Sequence, residues 1–185
     1  GDAMDLNIRV AMTDGAQPIG RGIGPALEAR DILSVLRNEK KAPQDLKERS
    51  LLLVAQLLEF CCGHSVEESA IEARAILEDG RALKKFEAIC EAQGGMKEPH
   101  LSSLYHVVTA KHAGLITRID NRLIARIAKL AGAPDSPTAG VDLHTPLGVK
   151  VEKGQPLFTI YATSAGECDH ALHYFNFHQE VIQIC

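Results

Sequence analysis

The chain has 185 residues, 45% of them hydrophobic, which is enough apolar content to bury a core in one domain or a small pair. Aromatics make up 4% with no tryptophan, so packing falls to Leu, Ile, Val and Ala, a composition suited to helices on a modest sheet. A net charge of −4 without a basic block excludes an electrostatic footprint for nucleic acid, no apolar run reaches the length of a membrane span, and five cysteines without C-x-x-C spacing predict reduced thiols in the cytoplasm.

In chain order, Leu6 to Met12 alternates apolar and polar residues as a strand does, yet no neighbouring strand is evident for it. Gly20, Gly22 and Gly24 then open a loop in which the backbone is free to take positive φ or to approach a ligand. Pro25 fits a first helical turn, and Ala26 to Leu36 continues with Leu27, Leu33 and Leu36 at helical spacing. A polar break from Asn38 to Pro43 precedes a strongly apolar helix from Gln44 to Cys62, closed by Gly63. Ser65 and Glu68 form the S-x-x-E pattern of a capping box, which predicts a third helix over Val66 to Glu78 with Gly80 as its stop. A fourth helix, Arg81 to Ala92, places Leu83, Phe86, Ile89 and Cys90 on one face and ends at Gly94 and Gly95.

The character changes at Met96 to Ser103, a polar stretch with Pro99 that reads as a linker into a second unit. Short strands follow at Tyr105 to Ala110 and Gly114 to Asp120, and Asp120 or Asn121 caps a helix over Arg122 to Ala131. That helix turns Leu123, Ile124, Ile127, Ala128 and Leu130 inward and Arg122, Arg126 and Lys129 to water, and Gly132 ends it. After a loop at Ala133 to Ala139 come strands near Val141 to His144, Gly148 to Val151 and Leu157 to Tyr161, a helix near Gly166 to Phe175, and a last strand at Glu180 to Ile184.

Three groups of residues invite a chemical reading. The glycine loop has the free N–H groups of a phosphate cradle, but Gly20-x-Gly22-x-x-Pro25 lacks the third glycine of a dinucleotide fingerprint and no Walker lysine follows. The same loop also fits a cation held by outward carbonyls and a carboxylate of the following helix, or a tight strand-to-helix turn with no ligand at all. Cys168, His170, His173 and His178 suggest zinc, with His170 and His173 sharing a helix face, although no paired ligand motif accompanies them and Glu167 and Asp169 read as solvent-facing. Cys61 and Cys62 end an apolar helix and read as packing residues. His64 lies nearby as the weak second member of a Cys–His dyad.

Several of these segments together carry a family likeness. Asp14, Gln17, Pro18, Ile19, Gly20, Gly24, Ala26, Leu27 and Glu28 match a D-x-x-Q-P-hydrophobic-G…G-x-A-L-E pattern. EAQGG at Glu91 to Gly95, GLITRIDNRLIARIAKLAGAP at Gly114 to Pro134 and VEKGQPLFTIYA at Val151 to Ala162 follow in the same order. The chain thereby resembles the thymidine and pyrimidine-nucleoside phosphorylase family, most closely the branch that includes archaeal AMP phosphorylases. Segments Val107 to Ile119 and Gly148 to Ala162 also resemble the half-barrels of biotinyl and lipoyl carriers, with their V-x-x-G-Q-x-L pattern. Thr163 and Ser164 stand where a biotinyl domain has Met-Lys, so that likeness concerns fold, and Lys150 and Lys153 read as ordinary hairpin residues.

The family resemblance implies an α+β fold: residues 1–95 as the mainly helical remainder of an α/β phosphate-binding domain, and 96–185 as a C-terminal α+β domain with a barrel-sandwich-like sheet. It implies an intact enzyme that phosphorolyses a nucleoside or nucleotide, with phosphate as co-substrate, and that assembles as a homo-oligomer without nucleic acid or membrane. It also implies a potassium site at the carbonyls of Ile19 and Gly22 and the carboxylate of Asp31, where relatives carry glutamate. Members of the family are more than twice this long. The sequence is therefore expected to be a C-terminal piece, with Gly1 left by a tag, whose catalytic and cofactor-binding residues lie elsewhere and which is inactive alone. The rival expectation is a stand-alone barrel-sandwich binding module.

Overall fold

Six α-helices and two antiparallel sheets make up residues 2–185, the range that the computed structural model describes. The arrangement is mixed helix and sheet, as the α+β expectation requires. The helices are α1 (Pro25–Leu36), α2 (Gln44–Cys62), α3 (Val66–Glu78), α4 (Arg81–Ala92), α5 (Asn121–Leu130) and α6 (Ala165–Phe177). The strands are β1 (Gly22–Ile23), β2 (Tyr105–Thr109), β3 (Gly114–Ile119), β4 (Gly140–Leu143), β5 (Lys150–Val151), β6 (Pro156–Tyr161) and β7 (Ile182–Ile184). One sheet runs in the order β1-β4-β6-β2 and the other β5-β3-β7.

The helix ends follow from local chemistry. Ser65 Oγ accepts the Glu68 N–H while the Glu68 carboxylate accepts the Ser65 N–H at 2.9 Å, a complete capping box. Asp120 Oδ1 accepts the N–H groups of Arg122 and Leu123, both at 3.1 Å, and starts α5. These backbone bonds, led by that from Leu123, hold the Asp120 carboxyl below its ordinary range. Gly63 closes α2 with φ +69°, the left-handed turn that glycine takes without a Cβ clash.

Two cores form. The larger joins both sheets to α5 and α6 through Phe158, Ile116, Ile124, Ile127, Ile160 and Val141, and the ring of Phe158 meets that of Phe175 edge-on at 5.2 Å. The smaller gathers Val35, Ala42, Leu51, Ala73 and Leu77 from α1, α2, α3 and the α1–α2 turn. Helix α1 belongs to both halves: its Val35 enters the smaller core, while the strand before it, β1, is an edge of the larger sheet, paired with β4 in the register Gly22↔Asp142 and Ile23↔Val141. The buried residues of the two cores lie on either side of residue 95, and β1 crosses from the first part to the sheet of the second. The early glycine loop and the late strand β4 are one structural unit.

Two expectations are corrected by the structure. Leu6 to Met12 forms no strand: it is exposed, and its backbone pairs with no other strand among the described residues. The segment at Glu180 starts as a 3₁₀ turn, Gln179–Val181, and only Ile182–Ile184 pairs with β3.

Candidate functional site

The loop from Gln17 to Gly24 is where sequence motifs and three-dimensional contacts coincide. Its shape is set by side chains that reach it from several elements. Gln17 Oε1 accepts the Leu147 N–H at 2.7 Å, which ties the loop to the β4–β5 connection. Asp45 Oδ2, at the start of α2, accepts the Gly20 N–H at 3.0 Å. Asp31, on α1 and 5% exposed, accepts the N–H groups of Arg21 at 2.6 Å and Gly22 at 2.8 Å on the same oxygen. Glu28 Oε1 accepts the Gly24 N–H at 3.0 Å.

Four loop amides are thus spent on three carboxylates of the chain itself. The α1 N-terminus is engaged too, since the Ala26 N–H donates to the Pro137 carbonyl at 3.0 Å. The phosphate-cradle reading therefore fails on this geometry: an anion needs free N–H groups, and here carboxylates already fill the positions it would take. The structural-turn reading gains the support. A Cβ on Gly22 would lie 2.4 Å from the Leu27 carbonyl carbon, and Gly24 has φ +130°, so both positions require glycine.

Around Asp31 the charges are matched. Arg30 makes a two-pronged pair with Asp142 on β4, at 2.8 and 2.9 Å, and its guanidinium stands 3.5 Å from Asp31 Oδ1. The hydrogen bond to Asp142 raises the Arg30 pKa against the opposing effect of partial burial, with the charges of Asp142 and Asp31 adding to the rise. Sequence reasoning missed Arg30 and Asp142 because they are 112 residues apart and meet only through the β1–β4 pairing. Beside this network a cleft of about 440 Å³ opens between the glycine loop and the β4–β5 connection, lined in part by Gln17, Arg21, Asp45, His144 and Thr145. His144 Nε2 lies 2.7 Å from Thr159 Oγ1 at its edge.

Of the residues nominated for potassium, Gly22 donates its N–H to the Asp31 carboxylate, and Ile19 lies three residues before it in the same loop. The donor chemistry is a poor fit for a cation. Asp31 Oδ2 faces the positive ends of two N–H dipoles and Oδ1 faces a guanidinium, so an ion there competes with three donors already in place.

The remaining candidates do not converge. Cys168 is buried against the larger core, and that burial pushes its thiol pKa up. His173 stacks on Phe177 at 4.6 Å, while His178 stacks on Tyr174 at 4.2 Å and meets Glu180 at 2.9 Å, and no metal-binding cluster forms among the described residues. Glu167 is not simply solvent-facing: it bonds to Thr163 and Ser164, and the Ser164 Oγ caps α6. Thr163 and Ser164 therefore start a helix. Cys61 and Cys62 are exposed at the end of α2 and do not pack as expected, since the helix presents them to solvent just before Gly63. Lys150 and Lys153 are exposed, and no helix among the described residues is long and apolar enough to cross a membrane.

Comparison with known proteins agrees with the sequence motifs. Residues 115–180, spanning β3 to α6, match the family described as pyrimidine nucleoside phosphorylase C-terminal domain. The whole chain is 50% identical to a protein named "Putative thymidine phosphorylase 1" from Acidovorax sp. (strain JS42), of whose length it spans 36%. It is likewise 50% identical over 184 residues to proteins named "Putative thymidine phosphorylase" from Hahella chejuensis (strain KCTC 2396) and Polaromonas sp. (strain JS666 / ATCC BAA-500), again spanning 36% of each. The chain is thus similar to the C-terminal part of these longer proteins, and its residues 115–180 to the C-terminal domain of pyrimidine nucleoside phosphorylases.

Proposed function

We propose that this chain is the scaffold end of a phosphorylase that cleaves the N-glycosidic bond of a nucleoside or nucleotide. In that reaction a phosphate oxygen bonds to C1′ as the C1′–N bond breaks. The base leaves with the bonding electrons and takes up a proton, and a pentose 1-phosphate remains. Thymidine is the first substrate to consider, on the names of the relatives, with uridine and AMP-type nucleotides behind it. The reaction needs an anion site for phosphate and donors that stabilise the departing base.

One observation carries the view that this part of the protein does not itself react. The loop that most resembles an anion site has its amides at Gly20, Arg21, Gly22 and Gly24 engaged by Asp45, Asp31 and Glu28. Its role is then mechanical. It joins α1 to the sheet through β1 and Arg30, so that the helical part and the C-terminal part move as one body. On this reading the two sheets form the barrel-sandwich unit of the family, and they steady the larger protein or its homo-oligomer.

The test is phosphate-dependent base release. The isolated chain, incubated with phosphate and thymidine, uridine or AMP, is expected to liberate no thymine, uracil or adenine. A chimera in which the unmatched N-terminal part of the Acidovorax relative precedes it is expected to liberate one of them. Turnover by the isolated chain would place the reactive groups within it and overturn the proposal.

A further inference from the structure

The four-stranded sheet ends on one side at β2, beyond which no strand lies among the described residues. The register shows which backbone groups that edge offers. Ala162 donates its N–H to the Leu104 carbonyl at 3.0 Å, and with Tyr105 opposite Tyr161 and Val107 opposite Thr159 this makes His106 and Val108 the residues that bond β6. The N–H and C=O groups of Tyr105 and Val107 therefore point away from the sheet. Edge strands are commonly guarded by lysine, proline or an inward charge, and Tyr105–Thr109, YHVVT, has none of these. Its one guard is the register shift between Val108 and Thr109, which ends regular pairing just beyond Val107. The side chains beside the free groups are apolar and uncovered: Leu104, Tyr105 and Val107 are 38%, 59% and 38% exposed. The ring of Tyr161, 5.9 Å away, holds Tyr105 on this face.

We infer that two copies of this chain pair antiparallel through β2, with the two-fold axis at His106. An isologous contact of this kind sets Tyr105 against the partner's Val107, His106 against the partner's His106, and Val107 against the partner's Tyr105. The stretch is complementary to itself. Both outward residues fall at bonding positions, so each Tyr–Val pair exchanges its two N–H···O bonds, and each sets an aromatic ring against a β-branched side chain, a favourable cross-strand pair. No Asp, Glu, Lys or Arg lies between Leu104 and Ala110, so no like charges meet. Two four-stranded sheets become one of eight strands, within the ordinary size range. The unmatched part of the longer relatives is the weaker occupant. It precedes this chain, whose early residues lie against α2 through the Arg9–Glu59 pair and the bond from Arg49 to the Asp14 carbonyl, whereas β2 is the edge of the sheet opposite β1. The inference does not rest on the phosphorolytic reading, since no part of the pairing involves a substrate.

Sedimentation equilibrium and disulfide trapping test this together. Under reducing conditions, from about 1 µM to about 1 mM, the mass of the chain is expected to rise from one copy towards two, the weak self-association of a small interface. Val107→Lys, at an exposed position, is expected to leave the melting temperature within about 2 °C and to weaken the association at least about tenfold. Trapping then reads the register. Residues facing each other in a non-hydrogen-bonded pair have Cα atoms about 4.5 Å apart, within disulfide reach. His106→Cys, made in a chain whose exposed Cys61, Cys62 and Cys185 are replaced by serine, is therefore expected to oxidise to a dimer through the introduced thiols. Val107→Cys in the same background faces position 105 of the partner and is expected to crosslink at least about tenfold more slowly. A mass of one copy throughout the range overturns the inference. So does a dimer in which His106→Cys crosslinks no faster than Val107→Cys, which would place the contact elsewhere.

Discussion

Asp31 shows how one side chain sets the character of a loop. Its Oδ2 collects two backbone N–H groups and its Oδ1 faces Arg30, so removing the carboxylate strands buried donors beside a guanidinium that loses one of its two acidic neighbours. Asp31→Ala is expected to cost about 1–3 kcal/mol in chemical denaturation, and Asp31→Asn, which keeps one acceptor, less than half of that. If the loop is locked in this way, replacing NaCl by KCl leaves the melting temperature of the isolated chain unchanged. A potassium-specific rise that Asp31→Asn abolishes would instead establish the cation site at Ile19, Gly22 and Asp31. The glycine positions and the nomination of Asp31 were readable from local spacing. The groups that complete the network were not, because Asp45, which accepts the Gly20 N–H, and Asp142, which pairs with Arg30, come from distant segments and a sequence does not display long-range hydrogen bonds.

Among the elements, the helices were the most legible part of the chain. Residues Gln44 to Cys62, Val66 to Glu78 and Arg81 to Ala92 carry their own punctuation in Gly63, the Ser65–Glu68 box and Gly80, and the structure places helix ends at those boundaries. Caps are local, so they survive the absence of tertiary information. The two-residue strand β1 was invisible because nothing in Gly22–Ile23 announces a strand; it exists only through pairing with β4. The opposite error occurred at Leu6 to Met12, where the pattern of a strand is present and its partner is not. Gly140 tests the β1–β4 joint. It has φ +152°, and a Cβ there would lie 2.2 Å from the Ile23 carbonyl oxygen. Gly140→Ala is accordingly expected to destabilise the fold by at least about 1–3 kcal/mol and to speed amide exchange in the Gly20–Gly24 loop. A neutral substitution would mean that this pairing contributes little.

At the scale of the molecule, the chain joins a well-packed C-terminal half to a helical half that is only partly covered. Phe158, Ile116, Ile124 and Ile127 are fully buried in the first, while α2 has Leu51 as its one fully buried residue and leaves Leu53, Leu57 and Phe60 in solvent. This asymmetry is what a piece of a larger lobe should show, since side chains shaped for an interior are left on a surface. The two halves are coupled through β1, α1 and the Arg30–Asp142 pair, so a load applied to the helical half passes into the sheet. The likeness to the longer relatives was readable from motifs spread along the chain. The joint between the two halves was not, because β1 and Arg30 meet β4 only in the folded chain.

A glycine loop closed on its own carboxylates has no amide to offer phosphate at Gly20, Arg21, Gly22 or Gly24. The backbone amide resonances of Gly20, Gly22 and Gly24 report on this directly. Titrating the isolated, isotope-labelled chain with inorganic phosphate at constant pH and ionic strength is predicted to leave these three resonances in place. Saturable shifts at all three, reversed by diluting the phosphate, would show that the loop is an anion site after all.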